Sequence, residues 1–395
     1  MSGVVRIDGV VRDYAWGSTT AIQSLLGQPV DGRPAAELWF GGHPDDPSPV
    51  PELRSTLDAI ITADPAAALG AETLASFGPR LPFLLKVLAA GKPLSIQVHP
   101  TLQQARDGFA REAHLAPDDP KRNYRDANHK PELLCALTPF EALCGFGSVA
   151  ETQALLDAFA LPRLIPVAEW LSRPNGLERA FSALLRDPDP ESLAYAVSDA
   201  AAHLPPRFAG AARAVELAAA DFPGDIGVVV SLLLNYVMLE PGEAIYLGAG
   251  NVHAYLRGTG VEIMANSDNV LRCGLTPKHI DVDELLRITD FEELGDPRWP
   301  AQTRGSNARF VTPAPDFGLA WMDLTNDLQP LYRGLAQIVL CTSGSADVVS
   351  EQDTVRLLSG QAAFVPASAG AQVRSDGPAR IFVASVGNLS SMSGR

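Results

Sequence analysis

Between Val149 and Ala220 the sequence changes its periodicity, and after Pro223 it changes back. On either side, short apolar runs such as 81–89 and 93–99 are bounded by turn residues and read as strands. Inside the block, ETQALLDAFA, LERAFSALLR and FAGAARAVELAAAD repeat apolar residues at spacings of three and four, the period of a helix face. Prolines at 162, 166, 174, 188, 190, 205 and 206 cut that block into several short helices. A chain that gathers its helices in one block, with strands before and after it, is not an alternating βα fold. The expected architecture is mainly β with an α-helical insertion.

A local repeat divides the β part further. Residues 242–253 read G-EAIYL-G-A-G-NV-H, and residues 360–371 read G-QAAFV-P-A-S-AG-A, with the same separation between first and last positions. Both resemble the second sequence motif of cupins, small double-sheet β-barrels, whose pattern is G, five residues, P, any, G, two residues, H. The first copy keeps the histidine, His253; the second has Ala371 there. The expectation is two cupin-like jelly-roll barrels plus a helical domain. Residues 1–148 and 222–305 would form a discontinuous metal-binding catalytic barrel, 149–221 the helical insertion, and 306–395 a second, metal-free barrel.

Charge and composition limit the partners. The chain carries 31 Lys and Arg against 46 Asp and Glu, a net charge of −15, which disfavours nucleic acid and anionic membranes. Its most apolar stretch, 226–239, is interrupted by Ser231 and Asn235 and falls short of the roughly 20 residues a membrane helix needs. The first residues lack a signal-peptide pattern, and the four cysteines form no CxxC pair, so a cytoplasmic location is expected.

Four residues have the chemistry of metal ligands. In PLSIQVHP (93–100) Gln97 and His99 project to the same side of an extended strand. In NHKPELL (128–134) Pro131 stiffens the segment that carries His129, Lys130 and Glu132. His253 of GNVHAY completes a set of two imidazoles and two oxygen donors, which suits Zn²⁺ and, by ligand type alone, leaves Mn²⁺ or Fe²⁺ open.

YAWGS (14–18), AELWFGGHPDDPS (36–48), LPFLLKVLAAGKPLSIQVHP (81–100), YRDANHKPELLCAL (124–137) and the long run from 239 to 281 occur in the order, and with the letters, of the type I mannose-6-phosphate isomerases. The sequence resembles that family from residue 14 to about residue 286. The resemblance implies one zinc per chain held by Gln97, His99, Glu132 and His253. It places Lys86, Ser95, Lys130 and Arg272 around a sugar phosphate, and Glu262 and Asp268 in the active site.

The reaction it implies is the reversible isomerisation of D-mannose 6-phosphate and D-fructose 6-phosphate by proton transfer between C1 and C2 through an enediol. Such chemistry needs a base for a carbon-bound proton and a cation for the growing oxyanion. Arg272, Lys130, His129, Asp268 and Glu262 are the catalytic candidates, and Lys86, Ser95 and Arg272 the substrate-binding ones. His129, Lys130 and Asp268 are candidates for opening the sugar ring. The alternatives are an isomerase of another sugar on the same fold and a non-catalytic sugar-binding cupin. The expected partner is a small sugar phosphate, with neither nucleic acid nor membrane, and the expected state a monomer, with an oligomer left open.

Overall fold

The computed structural model describes residues 3–387. Its strands build two β-barrels stacked face to face, and the helices between Val149 and Asp221 cover one outer side. The first barrel has two walls. One wall runs in the order Arg298–Trp299, Ala244–Leu247, Glu132–Ala136, His253–Ala265, Phe83–Ala90, Glu37–Phe40, Val10–Arg12. The other joins Leu234–Leu239, Phe140–Phe146, His253–Ala265, Ile96–Val98 and Leu271–Gly274.

One strand, His253–Ala265, therefore belongs to both walls, and its glycines explain how. Its first residues pair with Phe140–Phe146 and with Gln97, and from Gly258 onward it pairs with Phe83–Ala90 and Glu132–Ala136. The register slips between Tyr255 and Arg257, and Gly258 turns the corner with φ +129°, where a Cβ would lie 2.7–2.8 Å from Phe140 and the Pro139 carbonyl. Only glycine fits that conformation and that approach.

Side-chain alternation then sorts every strand into an inner and an outer face. Leu85, Val87, Leu133, Cys135, Val261 and Ile263 point outward into a core shared with Ile338, Leu340, Phe364 and Phe382 of the second barrel. Ile96, Val98, Leu143, Ala254, Leu256 and Leu271 point outward from the other wall into the core formed with the helices. Both walls are thus covered outside, and their strands are apolar on alternate residues even where the inner face is polar. That is why FLLKVLAA is buried over its whole length.

Helices run from Val149–Ala158 to Ala209–Asp221, and a short further helix, Gly227–Val230, leads into the strand Leu234–Leu239. The second barrel pairs a seven-stranded sheet with a four-stranded one around Val339, Cys341, Val348, Val365, Val373 and Ile381. Two of its strands lie outside residues 306–395: Val5–Ile7 pairs with Ala362–Val365, and Ala301–Arg304 pairs with Asn307–Phe310. A strand of three residues such as Val5–Ile7 carries too little periodicity to reveal a partner more than 350 positions away. The end of the expected second unit, 388–395, lies outside the described residues.

Candidate active site

The inner faces of the two walls present two rows of functional side chains. Directly opposed residues on antiparallel strands share a face. Gln97 opposes His253 on one side and Arg272 on the other, so the second wall carries the row His253, Gln97, Arg272. Lys86 opposes Trp39 and Glu262, so the first wall carries the row Trp39, Lys86, Glu262. Glu132 begins its strand opposite Leu247 and Met264, and His99 lies two residues after Gln97, just past the end of its strand.

These rows meet at a metal-ligand geometry. His99 Nε2 lies 3.3 Å from one oxygen of Glu132 and His253 Nε2 lies 3.6 Å from the other. Each histidine donates its Nδ1–H to a backbone carbonyl, His99 to Asn269 at 2.8 Å and His253 to Asn251 at 2.9 Å. This fixes the tautomer that leaves Nε2 with a free lone pair. Both Nε2 atoms are buried and lack a hydrogen-bond partner. Two orphaned imidazole nitrogens facing one buried carboxylate fit a divalent cation, with Gln97 as a further oxygen donor beside them. Burial pushes the His99 imidazole down to about 4, aided by Lys130, so it is in the neutral form that binds metal.

A cavity of about 530 Å³ opens above this cluster. Lys86, Ser95, Gln97, Lys130, Glu132, Glu262, Asp268 and Arg272 all line it. Lys130 reaches Glu132 at 2.9 Å, and its charge holds that carboxyl well below the usual range against the opposing effect of burial. Lys86 lies 3.2 Å from Glu37 and 3.4 Å from Glu262. Burial alone would make its ammonium more acidic, and the two carboxylates outweigh that and raise its pKa. Glu262 also accepts a 2.7 Å hydrogen bond from Tyr255. Its pKa is raised, first by burial and then by the charge of Glu132.

The outer part of the cavity is different. Arg272 and Lys278 line it, and neither has a carboxylate partner among the described residues. Arg272 is pushed down by burial and by Arg125, and Lys278 chiefly by Arg272. Neighbouring cations with no carboxylate partner in a cavity call for an anion. Asp268 sits at the same mouth, half-exposed, 3.6 Å from His43 Nε2.

Of the catalytic and substrate-binding candidates, His129 alone does not line this cavity: its Nε2 lies 2.9 Å from Asp316 of the second barrel. Glu37, Tyr255, Lys278 and His43 were missed. Glu37 and Tyr255 stand two residues from Trp39 and His253, so strand parity would have found both. His43 and Lys278 lie in loops, where parity gives no signal. A larger groove of about 880 Å³ between the barrels is lined by hydroxyls and the Asp323–Arg380 ion pair and carries none of the metal donors.

Comparison with known proteins decides the family. The model for the type I phosphomannose isomerase catalytic domain matches residues 4–149. Mannose-6-phosphate isomerase of Escherichia coli K12 is 38% identical, over 91% of this chain and 93% of its own. The chain belongs to the type I mannose-6-phosphate isomerase family. An isomerase of the same name from Arabidopsis thaliana is 31% identical over 95% of this chain and 92% of its own. The crystal structure of mannose 6-phosphate isomerase from Salmonella typhimurium bound to fructose 6-phosphate and zinc superimposes with a TM-score of 0.90 at 34% identity, covering 98% of this chain and all of that one. For this family member, the likeness spans both barrels and the helical block, not the metal-bearing barrel alone.

Proposed function

We propose that this chain interconverts D-mannose 6-phosphate and D-fructose 6-phosphate, with one zinc ion held by Gln97, His99, Glu132 and His253. The observation that carries the reading is the pair of orphaned histidine nitrogens beside a cavity that offers Arg272 and Lys278, neither of which has a carboxylate partner among the described residues. Related isomerases are described with zinc and with fructose 6-phosphate. Bound zinc supplies Lewis-acid stabilisation of negative charge on the sugar oxygens.

The chain's own residues have distinct tasks. Arg272 and Lys278 hold the phosphate with Ser95, and the planar guanidinium of Arg272 suits two phosphate oxygens at once. Lys86 is already matched by Glu37 and Glu262, so it serves the sugar oxygens and not the phosphate. Glu262 is the group that carries the proton between C1 and C2, since its burial makes the carboxylate a stronger base than an exposed one. Lys130 and Lys86, whose ammonium groups line the cavity, stabilise the charge that grows on O1 and O2 of the enediol. Asp268, 3.6 Å from His43, attends ring opening at the cavity mouth.

All of these residues come from one chain, and the monomer is the proposed working unit. The proposed division keeps a metal-binding barrel, the 149–221 insertion and a metal-free barrel, with Val5–Ile7 and Ala301–Arg304 assigned to the last. No helix among the described residues is long and apolar enough to cross a membrane. The four buried free cysteines favour the cytoplasm as the proposed location.

A coupled assay of mannose 6-phosphate, run beside unphosphorylated mannose, tests the reading. Turnover of the phosphorylated sugar at least about 10²-fold faster, as expected from a charge-assisted phosphate contact, supports it. Equal rates on both sugars, or no turnover of either by zinc-loaded protein, would sink it.

A further inference from the structure

We propose that the metal-free barrel takes part in catalysis as a positioning element, through one contact from Asp316 to His129. The inference rests on the isomerase reading above. Residues 128–132 carry Lys130 and Glu132 and join the cavity to the ligand strand. Two of their anchors are internal to the first barrel: the Asn128 carbonyl accepts hydrogen bonds from Ser267 Oγ and Asn269 Nδ2, and the Pro131 carbonyl accepts one from Ala265 N–H. The anchor between them comes from outside. His129 Nε2 lies 2.9 Å from Asp316 Oδ2, and the aspartate is 3% exposed.

The loop that bears Asp316 is itself held rigidly by the second barrel. Ala314 and Phe317 are buried in the core between the barrels. Gly387 donates its N–H to the Pro315 carbonyl, and a Cβ there would sit 2.7–2.9 Å from the carbonyls of Ala314, Phe317 and Pro315. Glycine at 387 thus lets the loop close onto the C-terminal strand, which fixes where Asp316 stands. Immediately after His129, the Lys130 ammonium reaches the Glu132 carboxylate at 2.9 Å. A shift of the His129 backbone would carry Lys130 away from both the metal ligand and the substrate, and small misplacements of such groups are costly to turnover. Asp316 touches no substrate. It acts through His129, and the second barrel acts through Asp316.

Asp316→Ala, Asp316→Asn and His129→Ala, alone and with Asp316→Ala, test the proposal in zinc-loaded full-length protein, with zinc per chain and melting temperature recorded for each. The expected result for Asp316→Ala is a fall in kcat of about tenfold per bound zinc with KM changed less than about twofold. Asp316→Asn, whose amide oxygen still accepts from Nε2–H, should restore most of kcat, and the double variant should be no slower than the slower single one. Three outcomes overturn it: kcat per zinc unchanged in Asp316→Ala, a loss that Asn does not rescue, or additive effects of the two alanine substitutions. An inactive wild-type protein would instead refute the isomerase reading.

Discussion

The two barrels use the same turn to opposite ends. Gly242 and Gly360 both sit at positive φ, +94° and +79°, and each is followed by a four-residue strand, Ala244–Leu247 and Ala362–Val365. The last residue of each strand opposes the first residue of a neighbour: Leu247 opposes Glu132, and Val365 opposes Gln337. The next strand then begins with His253 in one barrel and Ala371 in the other. So the position of the proposed metal carboxylate, Glu132, in the first barrel is occupied by an amide, Gln337, in the second. That amide is fully consumed at home, accepting from Tyr332 N–H at 3.1 Å and donating to the carbonyls of Tyr332 at 2.7 Å and Leu335 at 3.2 Å. The difference teaches that one backbone frame serves as an active site or as a core, depending on whether its inward donors are satisfied by the fold or left for a ligand.

The largest effect should come from making the first barrel resemble the second. Glu132→Gln removes the charge that two orphaned histidines and Lys130 converge on. We expect less than about a tenth of a zinc per chain by elemental analysis and a loss of roughly 10³-fold in kcat, the several kcal/mol a metal supplies. Near-normal zinc content in this variant would break the comparison.

Next in size is Lys86→Met, which leaves Glu37 and Glu262 buried without their shared cation. kcat should fall by about 10²-fold. The sign of its pH effect follows from charge: Lys86 favours ionised Glu262, so losing it raises that carboxyl further, and the acidic limb of the kcat/KM profile should move to higher pH. A limb that moves to lower pH would mean that Glu262 is not the base.

The converse change, Gln337→Glu, should affect stability and not chemistry. The new carboxylate would face the Tyr332 and Leu335 carbonyls in a buried setting, at a cost of about 2 kcal/mol. Thermal unfolding should begin several degrees lower, while kcat at 25 °C stays within about twofold of wild type. A new metal site in that barrel is not expected, because Ala371 supplies no donor.

The smallest effect concerns Glu284, beneath the first barrel, which accepts hydrogen bonds from Tyr124, Arg111 and Arg287. Burial would raise its pKa, but Arg287 and Tyr124 outweigh that and hold it at about 2. A depressed carboxyl contributes stability above its unfolded pKa and loses it as pH falls through the folded value. Denaturant midpoints of wild type and Glu284→Gln should therefore converge between about pH 4.5 and pH 2, the unfolded and folded values.

Much of the site was legible because its residues sit on strands. Gln97 and His99 share parity, Lys86 is a lone charge in an apolar run, and the turn from Gly242 to His253 has fixed spacing. What stayed hidden was made by long-range pairing. Nothing near Glu262 in the sequence reveals that it opposes Lys86, and the corner at Gly258 that brings both walls together leaves only a glycine as its trace. His129 is the instructive residue. Its place in HKPE suggested the cavity, but its neighbours alternate sides, and a partner from residue 316 claims the outward one.

The central claim is that the first barrel's inward donors form a zinc-dependent isomerase site. The most direct measurement is a titration of metal-free protein with Zn²⁺, following interconversion of mannose 6-phosphate and fructose 6-phosphate against bound zinc. The account predicts that activity rises in proportion to bound metal and saturates at one zinc per chain. Full turnover in the metal-free protein, or activity that ignores the first bound equivalent, would contradict it.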